Sequence, residues 1–237
     1  MISRAKAKIF LADERGLSET QWSASRYTFN FGEFANEHRQ PFGDLYAVND
    51  EVLDAGRSLR VLLKEYSYVI LLPVMGAIGY KNASGNDNLV AAGQVAIIMA
   101  DRGEMIEIIN PFEEGLVNFL LVCIKTDSVR ATKGASFSTY NVNKCLNGLL
   151  KISPPSLNTS SLPFSVSIGK FEGRGETVYH TKNSKNGIFL FVLEGAFETE
   201  GRLLHARDSL ALWDTQTAEI EALSNDAIVV VMELPLI

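Results

Sequence analysis

Short apolar runs alternate along the chain with clusters of Gly, Asn, Asp, Ser and Pro about every ten residues, the spacing of an all-β sandwich or barrel. In the first half the runs cover 60–64, 68–77, 95–99, 105–109 and 116–124, each predicted to be a strand. In the second half they cover 164–170, 187–193, 209–213, 218–223 and 227–234. Helical periodicity is scarce, and only 141–150 reads as a short helix. Residues Ala83, Ser84, Gly85, Asn86, Asp87 and Asn88 read as a hairpin turn, because Gly and Asn tolerate the positive φ of tight turns. Trp22, Tyr27, Phe29, Phe31 and Phe34 partly alternate and are expected to form an aromatic strand packing one barrel rather than a binding stripe.

The two halves repeat one plan. The run 69–77 ends in Gly76-Ala77 as the run 188–196 ends in Gly195-Ala196, and the glycines lie 195 − 76 = 119 residues apart. A strand closing on Gly, followed by a turn and a further strand, points to duplication of one β-barrel unit. The Ser/Pro-rich stretch 151–161 reads as the linker between the copies. The expected division is 1–130 for the first barrel, 131–154 for a linker with a possible short helix, and 155–237 for the second. The first few residues are expected to complete a sheet of the second barrel.

Composition narrows the class. With 46% hydrophobic and 21% charged residues the chain is an ordinary globular protein, which removes disordered and collagen-like classes. Lys plus Arg number 22 against 28 Asp plus Glu, a net charge of −6 without a basic run, so direct nucleic-acid binding is not expected. The longest apolar runs are about ten residues, short of the ~20 that span a bilayer, and 9–12 is too short for a secretory h-region, so a cytoplasmic location without membrane association is expected. The two cysteines have no Cys-x-x-Cys partner, and Cys123, within an apolar run, reads as core.

Certain residues carry a family likeness: Gln21-Trp22, Tyr27-Thr28-Phe29-Asn30-Phe31-Gly32, the segment from Gly43 to Val52, Ala55-Gly56, Gly76, Ser84-Gly85-Asn86, Ala92-Gly93-Gln94, Gly103 and Asn110. Together they resemble the opening of the pirin-like family of bicupins, with Val192-Leu193-Glu194-Gly195 extending the likeness into the second half. The resemblance implies an all-β bicupin, two tandem cupin barrels of jelly-roll type. It also implies an iron-type metal in the first barrel, held by a His-x-His pair on one strand and a His-x-Glu pair on a later one. Alternate strand residues share a face, so each pair can aim two ligands inward.

Counted from Gly56 and Gly103, those ligand positions fall on Leu62, Lys64, Ile106 and Ile108. A slip of one residue would test Val61, Leu63, Met105, Glu107 and Ile109 instead, with one carboxylate and no imidazole. The three histidines, His38, His180 and His205, lie far apart. No metal and no other cofactor is therefore expected. In place of the metal site the reading puts a pocket of Leu62, Lys64, Ile106 and Ile108, with Arg60, Tyr66 and Tyr68 as neighbours of the same parity. Lys64 would then pair with a carboxylate, reach solvent at the barrel mouth or lose its proton. The expected function is a metal-free, non-enzymatic pirin-like protein binding a small anionic or aromatic ligand. The alternative is a metal-dependent dioxygenase of quercetinase type, for which the resemblance speaks and the missing ligands do not.

Overall fold

The computed structural model describes residues 5–81, 87–126, 134–154, 156–157 and 160–236. Among these the regular structure is strand and two short 3-10 turns, with no α-helix. Each of the ten runs expected as strands carries a strand, and Met105–Ile109 and Ser209–Trp213 match residue for residue, whereas the run 60–64 leaves its strand at Leu62. Two compact units result. One is Gly16–Thr139 with Pro154–Ser161; the other combines the described part of Met1–Arg15 with Tyr140–Ser153 and Leu162–Ile237.

In the first unit a seven-stranded antiparallel sheet runs in the order Ala135–Thr139, Gln94–Ala100, Ser67–Met75, Val117–Lys125, Leu45–Leu53, Ser23–Tyr27, Gly16–Glu19. A four-stranded sheet follows the order Ser58–Leu62, Met105–Ile109, Ala77–Lys81, Asp87–Ala91. One apolar core draws Val69, Leu71, Phe119 and Leu121 from the larger sheet and Val61, Ile78, Ile106 and Ile108 from the smaller. Each such side chain, fully buried, contributes about 1.5–3 kcal/mol. Two sheets facing across one core make a jelly-roll sandwich rather than a closed barrel. Asn110, fully buried, ties the 110–115 loop down: its amide donates to the carbonyls of Leu53 and Gly115, each at 3.0 Å, and its oxygen accepts from the Phe112 N–H.

The second unit repeats this with a six-stranded sheet, Lys6–Phe10, Ser209–Trp213, Asn186–Glu194, Ala227–Pro235, Ser165–Phe171, Leu150–Lys151. Its four-stranded companion is Glu176–His180, Thr217–Ala222, Phe197–Thr199, Arg202–Leu204. The first described residues complete the larger sheet, Lys6 to Phe10 pairing with Trp213 to Ser209. Three boundaries differ from expectation. The first unit keeps Ala135–Thr139, which pairs with Gln94–Ala100. The short helix shrinks to a 3-10 turn at Val142–Lys144, capped by the Asn141 side chain. The stretch read as a linker is partly ordered, since Leu150–Lys151 pairs with Ile168 and Ser167 and Ile152 is buried. Of the expected hairpin turn, 83–86 lies outside the described residues and Asp87 and Asn88 open a strand; the flanking strands pair from Ala77–Ala91 to Lys81–Asp87.

The repeated glycines play one role twice. Gly76 ends Ser67–Met75 with φ +79° and Gly195 ends Asn186–Glu194 with φ +77°, a left-handed turn costly to any residue with a Cβ. At Gly195 an added methyl would also overlap Ser224 Oγ and approach the Ala227 backbone to 3.0 Å, whereas at Gly103, φ +83°, nothing lies within 4 Å. Chemical denaturation should therefore show Gly103→Ala losing about 1–2 kcal/mol, the backbone cost alone, and Gly195→Ala losing clearly more. Equal losses would mean that the tight approach at Gly195 relaxes.

Candidate functional site

Strand alternation decides what faces the first unit's interior. Met105 pairs with Leu62, Ile106 with Val61, Glu107 with Arg60 and Ile108 with Leu59. Ile106, Ile108 and Val61 are core, and Leu59 packs against them. Leu62 is 51% exposed and Lys64 is exposed too. Leu62 therefore lies on the face opposite Ile106 and Ile108, and Lys64 follows the end of the strand, exposed, while Ile106 and Ile108 are core. Of the one-residue alternative, Val61 and Leu63 are buried, while Met105, Glu107 and Ile109 share the outer face. The inward positions Leu59, Val61, Ile106 and Ile108 present only carbon.

A cavity of about 420 Å³ opens beside them. Arg60, Leu62 and Lys64, all exposed, line it with Leu59 and Val61. Ile106, Ile108, Tyr66 and Tyr68 are not among its lining. Arg60 Nε is held 3.0 Å from Glu107 Oε1, which also accepts from Ser58 Oγ; these two bonds hold the Glu107 carboxyl below its ordinary pKa.

The aromatic wall comes from the segment expected to be a strand. Only Ser23–Tyr27 is one, and after it the chain loops. Phe31 and Phe34 exchange backbone hydrogen bonds, Asn30 Oδ1 accepts from the Asn36 N–H at 2.8 Å, and Gly32 takes φ +61°. This bend sets the Tyr27 ring 5.6 Å from Phe31 and 6.5 Å from Phe34, and all three line the cavity. Phe34 lies directly over Gly16, leaving no room there for a side chain. Phe29 is buried, and Trp22 sits away from the cavity with the Arg57 guanidinium over its ring.

Sequence reasoning missed the polar floor, which comes from Leu45–Leu53. Glu51 lies opposite Ser25 on the neighbouring strand, lines the cavity and is 3% exposed. Burial pushes its carboxyl up to about 7; the neighbouring Ser25 hydroxyl and Asn49 amide offset part of that, and Asp50 adds to it. Beside it, Tyr46 Oη lies 2.6 Å from Ser67 Oγ. Ser67 gives its proton to the Glu65 carbonyl, so Tyr46 is the donor. Burial raises the Tyr46 phenol further above its usual value, and it raises the Cys123 thiol to about 12, with Glu51 adding to the latter. Cys123 is thus a core thiol, as expected, and no nucleophile at neutral pH.

The three histidines are exposed and apart: His38 lies beside Glu37, His180 ends a strand of the second unit, and His205 lies 3.8 Å from Asp208. Among the described residues no group of three or more His, Cys, Asp or Glu could hold a metal ion. No helix of the described residues is long and apolar enough to cross a membrane.

Two jelly rolls in tandem, the first with a ligand-sized cavity beside its core, define a bicupin. A family model described as quercetinase C-terminal cupin domain matches residues 164–234. A curated quercetin 2,3-dioxygenase of Escherichia coli K12 is 22% identical over 227 residues, 94% of this chain and 96% of that protein. The crystal structure of bacterial pirin YhhW from Escherichia coli in complex with nickel(II) superposes with a TM-score of 0.84 at 21% identity, covering 98% of this chain and all of that one. A quercetin 2,3-dioxygenase structure from Acinetobacter baumannii gives 0.72 at 14% identity, covering 97% and 79%. Together these matches support a pirin-like cupin family member.

The Glu51 carboxyl generates a stability prediction. Its folded pKa, about 7, lies above the ordinary 4.5, so its contribution is fully present below about 4.5 and is lost as pH rises towards 7. Ionised Glu51 then destabilises the fold by about 3 kcal/mol, on 1.36 kcal/mol per pKa unit. Glu51→Gln should match wild type near pH 4 and exceed it at pH 8, as read by urea unfolding at both pH values. A variant less stable than wild type at pH 8 would show the carboxylate to be well solvated or paired.

Proposed function

We propose that the chain is a pirin-like bicupin that works without a metal, binding a small aromatic ligand with an anionic group in the cavity of its first unit. The carrying observation is the lining: Tyr27, Phe31 and Phe34 offer ring faces, and Arg60 and Lys64 place two cations at the mouth. Such a concave site, mostly apolar with a few placed polar groups, is the usual form of a small-molecule pocket. Beside it Leu59, Val61, Ile106 and Ile108 do not fit an iron-type metal, since none has a nitrogen, oxygen or sulfur to give. The 22% identity to quercetin 2,3-dioxygenases over nearly the whole chain favours a second reading, a dioxygenase acting on a related aromatic compound.

Elemental analysis of the purified protein, together with thermal shift against benzoate and quercetin, separates the two. The proposal expects far less than one metal per chain, a rise in Tm with ligand and no turnover of quercetin. Stoichiometric metal with quercetin consumption abolished by a chelator would establish the dioxygenase. Lys64, being exposed, should be replaceable: Lys64→Met should leave stability within about 0.5 kcal/mol and weaken benzoate binding several-fold. Unchanged affinity would remove Lys64 from the site.

A further inference from the structure

We propose that Glu51 receives the ligand's anionic group as a protonated acid, so that binding a small aromatic carboxylate takes up one proton. This rests on the pocket reading above and adds to it the group on the floor and the ligand form it selects.

Among the described residues the geometry gives Glu51 no cation of its own. On its strand, Asp50 points to the other face, where it accepts from Asn118 Nδ2 at 2.7 Å, and Asn49 is neutral. On the adjoining strand Ser25 faces Glu51, while Arg26 pairs in register with Asp50 and lies 4.0 Å from Glu19. From Val117–Lys125 comes the Cys123 thiol, which stays protonated. Tyr27 and Tyr46 present phenols to the cavity. From the opposite side come Arg60, already bound to Glu107, and at the mouth Lys64 and Glu65, the latter 3.8 Å from Lys125. The cations draw an anion in, yet a carboxylate reaching the floor would meet the Glu51 carboxylate in a site shielded from water. Two adjacent carboxylates in such surroundings share a proton rather than both ionise. Protonated Glu51 instead donates a charge-assisted hydrogen bond to the incoming oxygen, and burial has already brought its pKa to about 7, so the acid form is available at neutral pH.

Calorimetric titration of the full chain with benzoate from pH 6 to 9 tests this, since benzoate stays ionised throughout. Affinity should be level near pH 6 and then fall towards tenfold per pH unit above 7, about 100-fold by pH 9. At pH 8 the heat should vary with the buffer's ionisation enthalpy by nearly one proton taken up. Benzyl alcohol, neutral and of similar size, should bind with no such slope. Glu51→Gln, whose amide donates as the acid does, should keep benzoate binding and lose the pH dependence. A flat wild-type profile with no proton uptake overturns the role of Glu51 and leaves the pocket standing. Failure of both benzoate and benzyl alcohol to bind at pH 6 overturns the pocket reading itself. Should Glu51→Gln not fold, the proton count on wild type decides alone.

Discussion

The pairing of Ser58–Leu62 with Met105–Ile109 is the constraint on which the first unit's chemistry turns. Setting Val61 against Ile106 and Leu59 against Ile108 sends four branched aliphatic side chains into the sandwich and sends Arg60, Leu62 and Glu107 out. Side-chain direction has period two, so a slip of one residue would expose the aliphatics and bury the Arg60–Glu107 pair. The core therefore holds this register, and the register in turn keeps the cations at the cavity mouth. Core packing and the placement of those cations share one cause.

The same parity explains what was legible in the sequence and what was not. Strand positions follow from apolar runs and turn residues, which is why all ten expected strands are present. The duplication was legible in Gly76 and Gly195, because a left-handed turn leaves glycine as the residue without strain. Counting from Gly56 reached Leu62 and Lys64, which line the cavity from exposed positions, while Ile106 and Ile108 are core; side-chain exposure is not written in spacing alone. Leu45–Leu53 went unread as a strand because Asn49, Asp50 and Glu51 interrupt its apolar pattern, although all three are buried. That interruption was the available signal: consecutive polar residues amid an apolar segment mark either a loop or a buried site, and here one of them, Glu51, lines the cavity. The aromatic loop was hidden for another reason. Tyr27, Phe31 and Phe34 converge only because Asn30, Gly32 and Asn36 bend the chain, and alternation alone cannot show a bend.

The two units each bury a glutamate, and the contrast shows what Glu51 lacks. Glu233, 1% exposed in the second unit, accepts from Tyr179 Oη at 2.8 Å, the Lys182 N–H at 2.7 Å and Asn186 Nδ2 at 2.6 Å. Those donors come from the end of one strand, the turn after it and the start of the next, so the carboxylate clasps the 181–186 connection to Ala227–Pro235. A carboxylate so fully supplied with donors has no call on a ligand; it is a fastening. Among the described residues, Glu51 has the Ser25 hydroxyl and Asn49 amide as its hydrogen-bonding neighbours, and it faces a cavity instead of a turn. Burial of a polar group with incomplete partners destabilises a fold unless something else completes it. A carboxyl left short of partners on the wall of an aromatic cavity is therefore better accounted for by what enters the cavity than by what it contributes to the sandwich.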